Sequence, residues 1–117
     1  MTDILSNPLF LLLSITGLML LLAALILKIF PPQKINHFYG YRSPASRKSL
    51  KHWKFAQIFA ARELSRVSLI LISLGILGLF STTDPRLGAI AAGFIIIIFI
   101  AYLIYKVELA IKKKFKE

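Results

Sequence analysis

The chain has 117 residues, 57% of them hydrophobic, with fifteen Lys/Arg against five Asp/Glu and a formal net charge of +10. Its long uninterrupted apolar runs exclude a soluble domain, which could not bury them on every side. With no Cys, disulfides, thiolate metal sites and thiol catalysis are excluded; in a membrane protein the positive charge reads as basic loops facing anionic lipid, not as a nucleic-acid partner.

The N-terminus does not read as a cleaved leader. Asp3 stands where a positive n-region belongs, and the apolar run behind it is longer than a typical h-region. It reads as a retained span, covering about residues 9–29. The nineteen residues 9–27 reach roughly 28 Å, close to the hydrocarbon thickness of a bilayer. Asn7-Pro8 supplies a helix start, and Pro31-Pro32 stops the helix because neither can donate a backbone hydrogen bond. Ser14, Thr16 and Gly17 mark a helix-contact face.

Residues 30–60 hold a loop and then an amphipathic helix. Ser46 or Ser49 can cap that helix. Arg47, Lys48, Lys51 and Lys54 alternate with Leu50, Trp53, Phe55, Ala56 and Phe59, a pattern for a helix lying in or entering the interface, with Trp53 at headgroup depth. The second span, about residues 61–80, is awkward. Its uncharged, mainly apolar part, residues 67–80, reaches only about 21 Å. To cross, it draws Arg62, Glu63 and Arg66 against the inner edge of the hydrocarbon. Two readings stand: both arginines snorkel to the interface, or Glu63 and Arg66 form a partly buried pair on one helix face.

Ser81 to Arg86 reads as a short polar turn around Asp84-Pro85. The third span is about residues 87–105. It carries Gly88, Ala89, Ala92 and Gly93, for which Gly75 and Gly78 of span two are the expected partners. The basic tail, residues 106–117, continues the helix onto the membrane surface. Nine Lys/Arg lie between Lys28 and Arg66 and five in the tail, against Arg86 alone at the opposite end. The positive-inside rule therefore predicts a cytoplasmic loop and C-terminus and an outside N-terminus.

Catalytic motifs are absent. His37 and His52 show no metal-ligand spacing, and no nucleophile has an identifiable base, so neither enzyme chemistry nor a cofactor or metal is expected. Spans one and three hold no mid-membrane ionisable group, which confines a transporter to an oligomer built around Glu63. What remains is the loop. Gly40 between two tyrosines permits a turn with positive φ, and Pro44 favours an extended residue before it. Arg42 is expected to donate to a span-end carbonyl, a lipid phosphate or Glu63.

Ile35-Asn36, Tyr39-Gly40-Tyr41-Arg42-Ser43-Pro44, Ser46 and Trp53-Lys54-Phe55-Ala56-Gln57 together resemble the SdpI family of bacterial membrane proteins. Ser43 replaces the usual Thr and Gln57 the usual Asn; the likeness spans residues 31–57 and the surrounding span layout. It implies protection against a secreted, sporulation-delaying peptide toxin. In the longer founding member, which has additional spans, it also implies signalling by sequestering a repressor at the membrane. The expectation is one all-α integral membrane domain in the bacterial cytoplasmic membrane, with three transmembrane helices. It acts as an immunity or sensor protein that binds a membrane-active peptide or a cytoplasmic regulator. The alternatives are a structural or accessory subunit and a small oligomeric transporter. The binding residues expected are Asn36, Tyr39, Gly40, Tyr41, Arg42, Pro44, Trp53 and Gln57, then Glu63 and Arg66. Small-residue faces on spans one and three predict a homodimer.

Overall fold

Asn7 starts the first long helix. Its Oδ1 accepts the Phe10 N–H at 3.1 Å, while Pro8 occupies the first turn, where a missing N–H costs nothing. In the computed structural model, which describes residues 4–81 and 84–116, this helix, α1, runs Pro8–Ile29. α2 runs Leu50–Leu77 and passes into a 3-10 turn at Gly78–Phe80; α3 runs Pro85–Phe115. All three are long and apolar enough to cross a membrane, and no strand occurs among the described residues. Asp3, Thr82 and Thr83 of the polar turn, and Glu117 of the tail lie outside the described residues.

Ser49, not Ser46, caps α2, its Oγ accepting the His52 N–H at 3.2 Å. The 28 residues of α2 form one helix of about 42 Å. The basic stretch expected at the interface is thus the beginning of the same helix as span two. α3 likewise continues through the tail for 31 residues and closes at Lys116 with φ +52°. The tail packs on protein: Val107 and Ile111 are fully buried with Ala56, Ala60 and Leu27. A second apolar cluster, Leu13, Val67, Leu71 and Ala92, sits at the other end of the bundle. Outward faces carry Leu18, Leu22, Ile97 and Ile98, which suit a lipid surround.

The helix contacts correct one expectation. Gly75 and Gly78 do not face the small residues of α3; both lie against α1. A Cβ on Gly75 would meet Ser14 N at 2.9 Å, and one on Gly78 would meet Leu9 Cγ at 3.1 Å. Gly17 completes the seam from the α1 side, where a Cβ would lie 2.9 Å from the Ser68 carbonyl oxygen. The small residues let the α1 and α2 backbones approach, as the Ser14–Gly17 face suggested. Gly17 is therefore used inside the chain and is not left for a second copy. Gly93 on α3 has nothing within 4 Å. Asn7 Nδ2 donates to Gly78 O at 2.9 Å, fastening the start of α1 to the end of α2.

Candidate functional site

The loop folds back on the helices by satisfying its own backbone, one group at a time. Asn36 Oδ1 accepts the N–H groups of Phe38 (2.8 Å) and Tyr39 (3.0 Å), a turn that short amides favour. The Tyr39 hydroxyl then donates to Phe30 O, at the end of α1. Gly40 has φ +103°, and a Cβ there would lie 2.8 Å from Gln57 Oε1 and 2.9 Å from Pro32 Cγ. Glycine is required for both reasons. Beyond it, the Gln57 side chain grips Tyr41 at two points. Oε1 accepts the Tyr41 N–H at 2.7 Å, and Nε2 donates to Tyr41 O at 2.8 Å.

Glu108, on α3, is the other anchor. Its Oε2 accepts the Tyr41 hydroxyl at 2.5 Å and the Ser43 hydroxyl at 2.7 Å. Burial, and next the carboxylate accepting its hydrogen bond, push the Tyr41 phenol well above the ordinary tyrosine range. Ser46 Oγ accepts the Ser43 N–H at 2.8 Å, which holds the turn through the exposed Pro44. Trp53 is fully buried and donates from Nε1 to Pro32 O at 2.8 Å. It braces the proline turn from inside the protein and does not present its ring to headgroups.

Eight of the ten expected residues therefore belong to one constellation: Asn36, Tyr39, Gly40, Tyr41, Arg42, Pro44, Trp53 and Gln57. Arg42 takes a partner that was not among those expected, donating from Nη1 to His37 O within the loop. Tyr39 makes the span-end contact instead. Glu63 and Arg66 stand apart as a pair on α2, with Arg66 Nη1 3.0 Å from Glu63 Oε2. Glu63 is 2% exposed and the Arg66 side chain 67%, so the partly buried pair on one helix face forms, with its cation at the surface. Sequence reasoning missed Glu108. The available signal was an acid standing alone between Lys106 and Lys112, one of only five in the chain.

Tyr39, Gly40 and Tyr41 also wall a cavity of about 340 Å³ with Leu27, Leu64 and Leu103. The three helices supply its apolar sides and the loop one further wall, leaving it half open. The arrangement holds the shape of the loop and offers an apolar recess.

A profile of the SdpI/YfhL protein family matches residues 33–106. The chain is 31% identical over 61 residues to Uncharacterized protein YfhL of Bacillus subtilis (strain 168), an alignment covering 52% of this chain and 56% of that one. No solved structure gives a significant match. The family match extends from the loop through most of α3 and takes in the Tyr41–Gln57 clamp. By that match, this multi-pass membrane protein belongs to the SdpI/YfhL family.

Proposed function

We propose that this is a membrane immunity protein, oriented N-terminus out and C-terminus in the bacterial cytoplasm, that receives part of a membrane-active peptide toxin in the recess beneath its loop. The observation carrying this reading is that the Tyr39-Gly40-Tyr41 segment walls one side of a half-open apolar recess between the helices. A volume of about 340 Å³ accommodates one or two apolar side chains of a peptide already dissolved in the bilayer. Family membership supports an immunity role, and the +10 charge, with its concentration at the loop end, supports the orientation. A homodimer fits the same reading through the open Gly93 face of α3.

A second reading has its own support. Nearly all polar anchors of the loop are spent within the chain, as expected for an accessory subunit whose loop only braces the bundle. A challenge experiment separates the two. A toxin-sensitive bacterium expressing the chain is exposed to sporulation-delaying-type peptide, beside Arg42→Ala and Ala23→Phe variants at equal membrane levels. Ala23 lines the recess from an exposed position, so phenylalanine fills the space without disturbing the core. The immunity reading predicts protection by the wild type and its loss in both variants. Absence of wild-type protection at good expression would leave the bracing role.

A further inference from the structure

A second groove, of about 540 Å³, lies between α1 and α2; it shares Leu27 with the recess under the loop but none of Tyr39, Gly40 and Tyr41. Lys28 stands at its α1 side, where the apolar run of that helix ends; Arg62 and Arg66, one turn apart, stand at its α2 side. Leu27, Ala61 and Leu69 supply apolar wall, with Leu69 on the deeper, apolar part of α2. All three cations are exposed. Among the described residues, no side-chain hydrogen bond or ion pair engages Lys28 or Arg62, and Arg66 spends one N–H on Glu63. A guanidinium has five donors, so most of its capacity remains.

We propose that this groove is a binding site for one anionic phospholipid, with the phosphate held by Lys28, Arg62 and Arg66 and an acyl chain laid along Leu27 and Leu69. Three cations facing one groove give the charge complementarity, and bidentate guanidinium geometry suits a phosphodiester. The position selects a lipid over free phosphate. The charges sit where both helices pass from polar to apolar sequence, and the wall below them is apolar. Basic pockets between membrane helices at this depth are suited to lipid head groups. The pair with Glu63 also gains a purpose, since the buried carboxylate steers the Arg66 side chain at its base. This inference requires only that the helices stand in a bilayer, so it survives or fails independently of toxin immunity.

The test uses the full chain in a non-ionic detergent, titrated with phosphatidylglycerol or phosphatidylcholine and read by native mass spectrometry. The expected result is one retained phosphatidylglycerol per chain, preferred over phosphatidylcholine. Lys28→Gln/Arg62→Gln should weaken that retention roughly ten- to thirty-fold, from the contribution of two interfacial cations. A Lys113→Gln/Lys114→Gln control, equal in charge change but on the distal tail, should leave it intact. Equal loss in the control would overturn the site in favour of general charge attraction. So would equal retention of the two lipids by the wild type. Displacement of the lipid by millimolar inorganic phosphate would overturn the lipid assignment. The wild-type comparison needs no variant, so it stands even if the double substitution misfolds.

Discussion

The Tyr41 hydroxyl donates to Glu108 Oε2 at 2.5 Å, closing a loop of 67 residues of sequence between the motif and the last turns of α3. Ser43 adds a second hydroxyl to the same oxygen, so one carboxylate anchors both sides of Arg42. The recess under the loop inherits its shape from this anchor and from the Gln57 clamp.

A double-mutant cycle measures the anchor. Tyr41→Phe removes a hydrogen bond to a charged group, a loss of about 1.5 to 3 kcal/mol at a half-buried site, and Glu108→Gln removes the charge that strengthens that bond. Combined, they should cost less than their sum, because the second change removes a partner already lost. Unfolding in detergent reads the coupling; strict additivity would mean that the two groups do not interact.

Alkaline pH should act through the same contact. The Tyr41 phenol is raised above its unfolded value, so its contribution is complete below the ordinary tyrosine range, about pH 10, and declines as pH climbs further. The stability difference between wild type and Tyr41→Phe should therefore be flat through neutrality and shrink only above that range. Taking the difference cancels the lysines. Ultraviolet titration gives the matching readout: Tyr41→Phe removes the late-ionising phenol, and Glu108→Gln brings it earlier. A difference that shrinks already near neutral pH would contradict the assignment.

Gly17 and Gly93 make opposite predictions from the same chemistry. A methyl at Gly17 enters the α1–α2 seam against the Ser68 backbone, which cannot swing aside. Gly17→Ala should cost about 1 to 3 kcal/mol, the usual penalty of overpacking. At Gly93 a methyl meets nothing within 4 Å of this chain, so Gly93→Ala should leave monomer stability unchanged or slightly raised. Equal effects of the two in thermal unfolding would mean that the seam is misplaced.

The loop motif was legible because its residues act locally. Asn36 bonds the two residues after its neighbour, Gly40 takes positive φ, and Ser49 caps the helix that follows it. The Tyr41–Gln57 clamp spans 16 residues, still within one connected stretch of chain. Glu108 was hidden by distance, since nothing near it in sequence announces two hydroxyls from the loop. The expectation that Gly75 would meet α3 failed for a related reason. A small residue advertises a close approach without saying which neighbour makes it.

Span lengths, their number and the fourteen-to-one division of Lys/Arg between the two ends follow from the sequence by itself. Hydrophobic length and charge are properties of the chain, and a bilayer acts on them segment by segment. Only the tertiary structure decided which faces meet. α3 is apolar around its whole membrane portion, so no polar stripe fixes its rotation, and that rotation alone carries Glu108 to Tyr41. The same holds for the α1–α2 seam. Its register places Lys28 beside Arg62 and Arg66, a juxtaposition that depends on how two backbones pack and on nothing written at any one position.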